Sequence, residues 1–428
     1  YAMTQWLVAN LKPPSLKAMI PWEGAADMYR DFAYHGGIFC LGFAGNWYNN
    51  HMAHHLLGKP QQSNPDTFAK PWLWHYMRDS LDRGAYRGRQ AEWENIDIPL
   101  YTVGNWSGMG LHLRGNTEAF MRAGSKHKKL RIHAGTHYHP FYAREARRDQ
   151  LRFFDHWLKD KANGIMQEPP VKLLIRTGGG RNYQWRYENE WPLARTRWTK
   201  FYLRPVKRKT RTGEPAEGMM ETTAPKARGV VAYSASGMTK AGVASASWTS
   251  TALAGSLPRL GVSFETAALP ADTEITGPVN LVLWVSSSTE DMDIFATIRN
   301  IGRDGKDVWE LGQQQQPVPV AKGWLRVSHR KLDKKLSLPY RPYHAHDERL
   351  WLKPDRIVKV EVEVWPTCMV FAKGHRIRLD IQPRDGVGAA PYTHYSADYN
   401  TGTNTIYTGG STASYILLPV IPPTNQRR

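Results

Sequence analysis

The sequence predicts an α/β unit followed by an all-β unit, and three observations carry that prediction. From Tyr1 to about Asp160, apolar residues recur with mixed helical and strand periods. From about Pro169 onward they form short runs broken by Gly, Pro and Asn. Between the two, Lys159–Pro170 (KDKANGIMQEPP) has the polar, Gly- and Pro-bearing composition of a linker. The division falls near residue 165, giving a first unit over 1–165 and a second over 166–428. The length of 428 residues exceeds what one hydrophobic core normally supports and agrees with that division.

In the first unit, Thr4–Asn10 reads as a helix and Leu16–Trp22 as a buried strand. Ile98–Val103 and Lys129–Ala134 read as further strands, with a helix over Thr117–Gly124 between them. Ala143–Lys159 reads as an amphipathic helix presenting Leu151, Phe154, Trp157 and Leu158 on one face. Strands that alternate with helices argue for a parallel sheet. The stretch from Phe39 to Trp93 is dense in aromatics and histidines, among them Trp47, Tyr48, His51, His54, His55, Trp72, Trp74, His75 and Tyr76. It reads as a helical cap inserted at about 39–95.

The second unit offers strands at Val171–Arg176, Thr199–Leu203, Val279–Ser286, Ile294–Asn300, Lys359–Val364, Arg376–Ile381 and Tyr415–Leu418. Many short strands without intervening helices imply a β-sandwich, with a jelly roll as one form of it.

Composition narrows the function classes. With 41% hydrophobic and 22% charged residues and no run of eighteen apolar residues, the chain reads as globular, with no segment able to span a bilayer. Tyr1–Val8 has neither the basic region nor the cleavage site of a targeting peptide, and reads as starting inside a longer protein. Cys40 and Cys368 are too sparse for a disulfide framework or a structural zinc site, which favours a reducing, cytoplasmic setting. The net charge of +19 raises nucleic acid and anionic membrane as partners. The basic residues are scattered, however, and the densest run, Lys207–Arg211, reads as a solvated loop. No nucleic-acid-binding motif accompanies it, so neither partner is expected.

Two local patterns carry little. His51, His54 and His55 include the i, i+4 spacing of a zinc pair but lack a third ligand at recognisable spacing. Gly178-Gly179-Gly180 lacks the lysine and hydroxyl residue of a phosphate loop and reads as a plain turn. No metal and no cofactor is implied.

The opening Tyr1-Ala2-Met3-Thr4-Gln5-Trp6, its apolar helix and the following strand look like the chain downstream of a nucleophile elbow. They resemble the X-Pro dipeptidyl-peptidase and cocaine esterase family, whose elbow runs Gly-x-Ser-Tyr-x-Gly/Ala-x-Thr-Gln-Trp. The resemblance continues through Asp27-Met28-Tyr29-Arg30, Gly104-Asn105-Trp106 and Lys129–His137. It extends into Pro170–Leu173, Glu190-Trp191-Pro192-Leu193, Val285–Ser288 and Phe371–Ile377, so it covers nearly the whole chain.

The resemblance implies the carboxyl half of an α/β-hydrolase domain with a cap, followed by a jelly-roll β-sandwich. It implies a serine-type hydrolase of small ester, amide or peptide substrates, with self-association left open. The serine would lie upstream of Tyr1, so this chain alone is expected to be inactive. His137, in the loop after the strand Lys129–Ala134, falls on the family's catalytic histidine, with His133 and His139 as competitors. The acid departs from the pattern, because Gly108 stands where the family has aspartate. Glu23, closing the strand Leu16–Trp22, is the candidate replacement.

Other readings of the same residues stay open. Glu23 could pair with Arg30, or with Asp27 hold a substrate ammonium, as an amino-acid ester hydrolase or aminopeptidase-like enzyme requires. Trp47, Trp72 and Trp74 could line an apolar pocket or form the core of the cap. A non-catalytic binding protein built on the sandwich is the rival from another class.

Overall fold

The computed structural model describes residues 2–47, 77–84, 86–180, 183–206, 216–235, 261–386, 392–394 and 401–423. Most of the expected cap, including Tyr48, His51, His54, His55, Trp72, Trp74, His75 and Tyr76, lies outside the described residues, as does the basic run Lys207–Arg211.

Helix α1 (Met3–Asn10) opens the described chain and buries Trp6 and Ala9. A short hairpin, β1 (Tyr34–His35) and β2 (Ile38–Phe39), turns on Gly36 and Gly37, both at positive φ, and leads into α2 (Leu41–Trp47). Strand β3 (Leu100–Asn105), α3 (Leu113–Arg122), β4 (Lys128–His133), α4 (His139–Tyr142) and α5 (Arg144–Lys159) follow. β3 and β4 are parallel, Leu100 opposite Lys128 and Asn105 opposite His133. Leu16–Trp22 joins this sheet only through the parallel bridges Met19–Leu100 and Trp22–Val103.

Two sequence expectations are corrected here. β5 (Val171–Ile175), expected to open the β-sandwich, instead lies parallel to β4, and β6 (Gln184–Glu188) pairs antiparallel with it. The stretch before β5 is also anchored rather than loose, since the Lys129 ammonium donates to the carbonyls of Ile165, Glu168 and Pro169. The buried face of α5 is the second correction. It carries Ala146, Asp149 and Phe153, while Leu151 and Leu158 are exposed. The reason is electrostatic. Asp149 and Glu145 face Arg131 on β4 and Lys172 on β5, and this paired network occupies the side of the helix that an apolar stripe would otherwise take.

The remainder is mostly strand: β7 (Arg197–Pro205), β8 (Ala216–Glu221), β9 (Gly229–Ser234), β10 (Val262–Glu265), β11 (Thr273–Ser287) and β12 (Asp293–Ile301). After the small hairpin β13 (Glu310–Leu311) and β14 (Pro317–Val318) come β15 (Ala321–Arg326), β16 (Val358–Phe371), β17 (Arg376–Gln382), β18 (Thr403–Thr408) and β19 (Tyr415–Ile421). β11 is the hub. One of its edges carries β16, and the other carries β19 and then β18. Through β16–β15–β12–β17–β10–β8–β7–β19 the sheet returns to β11, so it closes into a barrel, with β18 and β9 as a side branch. Alternation along β11 sends Ile275, Leu281, Leu283 and Val285 inward, where they meet Ile377, Leu379 and Ile381 of β17 and Phe264 of β10.

A second core joins the two units. Leu130, Ile132 and Leu173 of the parallel sheet pack with Trp106, Leu113 and Ile38 against Phe295, Trp324 and Trp365 of the barrel. The loop ends of the sheet are thereby held against barrel residues.

The ring closes at β15–β16 through the pair Gly323–Val364. A Cβ at position 323 would sit 2.6 Å from the Glu363 carbonyl oxygen. Gly323→Ala should therefore destabilise the barrel by about 1–3 kcal/mol, as overpacking does, visible as a lower urea midpoint for the β-rich signal. An unchanged midpoint would mean that the closure tolerates separation.

Candidate functional site

The site lies where β3, β4 and the Leu16–Trp22 segment end together. Trp22 bridges Val103, and the Glu23 N–H then donates to the Val103 carbonyl at 2.8 Å. At Glu23 the backbone turns into the left-handed region, with φ +49°. A non-glycine residue holds such a conformation at a cost of about 1 kcal/mol or more, and does so where the surroundings fix it.

What fixes Glu23 is its carboxylate, which is buried and met by four side chains. His137 Nδ1 lies 2.8 Å from Oε2, which also accepts from Gln313 Nε2. Asn105 Nδ2 donates to Oε1 at 3.3 Å, and His133 Nε2 is 3.0 Å from the same oxygen, close but off the line of a hydrogen bond. Burial alone would raise the pKa of this group. The His133 and His137 imidazoles overcome that and hold it down to about 2, from an ordinary 4.5.

His137 stands in the loop after β4. Gly135, at φ +88°, turns the chain and accepts a hydrogen bond from Asn105 Nδ2 at 2.9 Å, and the His137 N–H donates to the Gln313 carbonyl at 3.1 Å. The His137 ring stacks parallel on His112, with centroids 5.0 Å apart. With Nδ1 on Glu23, Nε2 is the nitrogen left for chemistry. The ring is about a quarter exposed and borders a cleft of about 500 Å³ lined also by Ala2, Gln5, Ile20, Trp22 and Tyr138.

The structure thus brings Glu23 and His137 into direct contact. His133 touches the same carboxylate but is buried, whereas His139 is exposed at the start of α4. The Arg30 guanidinium pairs with Asp27 and Asp82 rather than with Glu23. Asp27 caps the helical turn Met28–Ala33, accepting from the Tyr29 and Arg30 N–H groups as well as from the Arg30 side chain. A Cβ on Gly108 would lie 3.1 Å from both the Asn105 carbonyl and Gln313 Nε2, so Gln313 occupies the space beside position 108. Gly178, Gly179 and Gly180 all have positive φ in the turn that follows β5.

Gln313, Asn105 and His112 were missed as site residues. Asn105 was visible only as part of Gly104-Asn105-Trp106. Gln313 opens a run of four glutamines with no chemical signal, and only the barrel packing carries it to Glu23. Glu23, His112 and His137 offer atoms close enough for a cation. The parallel stacking of the two rings, however, keeps their in-plane lone pairs from converging on one point, which suits an acid–base set better than a metal.

The class that this fold defines is a parallel α/β unit joined to a closed β-barrel, with an acid–imidazole pair at the carboxyl ends of the parallel strands. Comparison with known proteins gives that class its family. The model of the X-Pro dipeptidyl-peptidase (S15 family) matches residues 1–139, and that of the X-Pro dipeptidyl-peptidase C-terminal non-catalytic domain matches residues 163–417. A CocE/NonD family hydrolase from Staphylococcus aureus superposes with a TM-score of 0.82 at 31% identity, covering 98% of this chain and 70% of that one. A putative serine esterase of Mycobacterium bovis is 26% identical over 287 residues, 64% of this chain and 41% of the relative. Cocaine esterase of a Rhodococcus species is 24% identical over 400 residues, 84% of this chain and 57% of the relative. The chain therefore spans about two fifths to three fifths of the length of these curated relatives. It belongs to the X-Pro dipeptidyl-peptidase family, together with the CocE/NonD hydrolases. Among the described residues no helix is long and apolar enough to cross a membrane.

The lowered pKa of Glu23 makes a prediction about stability. A carboxylate whose folded value lies below its unfolded one contributes stability above about pH 4.5, and that contribution disappears as pH falls toward 2. The shift corresponds to about 3 kcal/mol. The unfolding free energy of the wild type relative to Glu23→Gln should fall across that window. A difference that stays constant from pH 6 to 2 would mean that the carboxylate is not held as described.

Proposed function

We propose that the chain is the acid–histidine part of a serine-type hydrolase of ester or amide bonds, built on the carboxyl half of an α/β-hydrolase domain with a jelly-roll partner. The observation that carries this reading is the 2.8 Å contact between Glu23 Oε2 and His137 Nδ1 at the ends of parallel strands. A serine contributed from outside this chain attacks the substrate carbonyl, and His137 Nε2 takes its proton. Glu23 holds the Nδ1–H, fixes the tautomer and stabilises the imidazolium. Backbone and tyrosine donors hold the oxyanion, and His137 then protonates the leaving alcohol or amine. Water attacks the acyl-enzyme by the same route in reverse. In this reading the 428 residues alone do not turn over substrate.

Placement of the acid at position 23 also bears on substrate class. Glu23 is engaged by His137 and Gln313, and both oxygens of Asp27 are used by Tyr29 and Arg30. Neither carboxylate is left to hold a substrate ammonium, which favours acyl esters over substrates that need a free α-amine. In the protein with its complete hydrolase domain, kcat/KM on aryl acyl esters should change less than about tenfold when an α-amine is added; a buried, charge-assisted ammonium–carboxylate contact of about 1.5–3 kcal/mol would give more.

The central test is mutational. Glu23→Gln in the complete enzyme should preserve folding and lower kcat by about 10² to 10⁴. His137→Ala should cost at least as much, and the double variant should lose little more, as expected of residues acting as a unit. Unchanged kcat in Glu23→Gln, with KM raised only for amine-bearing substrates, would reassign Glu23 to binding. Failure of the complete protein to label with a serine-directed phosphonate would instead favour a binding protein.

A further inference from the structure

A second histidine cluster lies apart from Glu23 and His137. His35 and Cys40 sit on one face of the β1–β2 hairpin: His35 pairs with Ile38, and the Cys40 N–H donates to the Ala33 carbonyl at 2.8 Å. His394 comes from a short segment held by Asp385, whose Oδ2 accepts the His394 N–H at 2.6 Å and lies 3.0 Å from its Nδ1. His35 Nδ1 and His394 Nε2 are 2.7 Å apart. One ligand atom from each of His35, Cys40 and His394 falls within 4.8 Å of the other two. The rings are buried among Trp324, Trp365 and Phe295.

Proton placement leaves one buried nitrogen of this cluster unused. Asp385 can only accept, so it takes Nδ1–H of His394 and leaves Nε2 as a lone pair. His35 Nδ1–H donates to that lone pair at 2.7 Å, and His35 Nε2 is left buried without a hydrogen-bond partner among the described residues. Moving the His35 proton to Nε2 therefore frees both facing nitrogens as ligands. A buried Cys40 thiol completes the ring of soft and borderline donors.

We propose that His35, Cys40 and His394 form a buried site for a borderline-soft divalent cation, zinc in the first instance, with Asp385 orienting His394 from behind. Tetrahedral bonds of about 2.0–2.1 Å to nitrogen and 2.3 Å to sulfur place donor atoms roughly 3.3–3.7 Å apart. The histidine nitrogens at 2.7 Å lie below that range and all three donor atoms lie within 4.8 Å of one another, so side-chain shifts on the order of an ångström complete the site. Binding replaces the Cys40 S–H bond with a metal–thiolate bond and releases one proton to solvent. The charges of the ligand set then balance: a dication, one thiolate and the Asp385 carboxylate sum to zero. Asp385 on the far nitrogen of His394 is the outer partner that metal-bound histidines usually have.

The site has a route to the acid at position 23. Two residues before His394, the Tyr392 hydroxyl donates to Gln313 Oε1 at 3.0 Å, and Gln313 Nε2 donates to Glu23. Fixing His394 thus fixes Tyr392 and Gln313, and the cation acts as a staple between the hairpin and the barrel loop that supports Glu23. Residues 35, 40 and 394 share no local spacing, so the cluster is not legible in the sequence.

The test uses the full chain purified without chelator or affinity metal. About one zinc per chain by mass spectrometry is expected, with a lower melting temperature after chelation that returns on adding one equivalent of zinc. Cobalt substitution should give a thiolate-to-metal charge-transfer band in the near ultraviolet. Cys40→Ser should abolish the band, and His394→Gln should weaken metal affinity at least tenfold. The triple variant His51→Ala, His54→Ala, His55→Ala should leave both stoichiometry and band unchanged. A wild-type chain that neither contains zinc nor takes it up in calorimetry overturns the proposal without recourse to variants. So does a wild-type cobalt form with no thiolate band, or zinc lost in the triple variant.

Discussion

A buried carboxylate is expensive, and everything around Glu23 is arranged to meet that expense. Removing an ionised group from water costs several kcal/mol unless donors and opposite charge replace the lost hydration. Here the replacements come from β3 through Asn105, from β4 through His133, from the following loop through His137, and from the barrel through Gln313. Each lies on a different segment, so the left-handed turn at Glu23 holds only while all of those segments are in register. The acid and its supports form one cooperative unit rather than a residue with neighbours.

The contribution of Gln313 makes the barrel part of the site and not merely an appendage. The same coupling recurs along the seam between the units. Arg114 of α3 reaches both Asp31 and Glu363 of β16, Arg341 reaches Glu118 of α3, and the Arg30 guanidinium donates to the His344 carbonyl. These buried charges are paired across the seam, where the loss of either partner would leave an uncompensated ion at a cost of about 3–5 kcal/mol. With the shared core of Trp106, Trp324 and Trp365 beneath them, they oppose sliding of one unit on the other. A site whose hydrogen bonds cross such a seam needs that rigidity.

Much of this organisation was legible in the sequence, for physical reasons that differ by element. The long barrel strands β11, β12, β16 and β17 were recognisable because their alternation is sustained over enough residues to outweigh local noise. β9 and β18 were not, because both are short strands of the side branch, and every second residue of β9 is turned away from the core. The placement of β5 could not be read from its own sequence, since a short apolar strand is equally at home on a parallel edge or in a sandwich. On α5, Leu151 and Leu158 misled because helical spacing alone does not distinguish an apolar face from one whose ion pairs are buried. At the site, Glu23 and His137 were reachable through strand ends and a family pattern. Gln313 and His394 were not, because only tertiary packing brings them there.

In the proposed reading the acid acts from position 23 rather than from position 108, and the same geometry supports it. β3 and the Leu16–Trp22 segment are neighbours, so a carboxylate leaving either end can approach the imidazole Nδ1 from nearly the same side. An aspartate after β3 would be short and could rely on local backbone for its orientation. A glutamate after the neighbouring segment has one more methylene and an additional rotatable bond, so its head group needs outside restraint to lose that freedom. Gln313 supplies the restraint, and it does so from the volume that a side chain at position 108 would enter. In the proposed reading Gly108, Gln313 and Glu23 act together: glycine leaves the space, the barrel glutamine fills it, and the acid acts from the adjacent strand end.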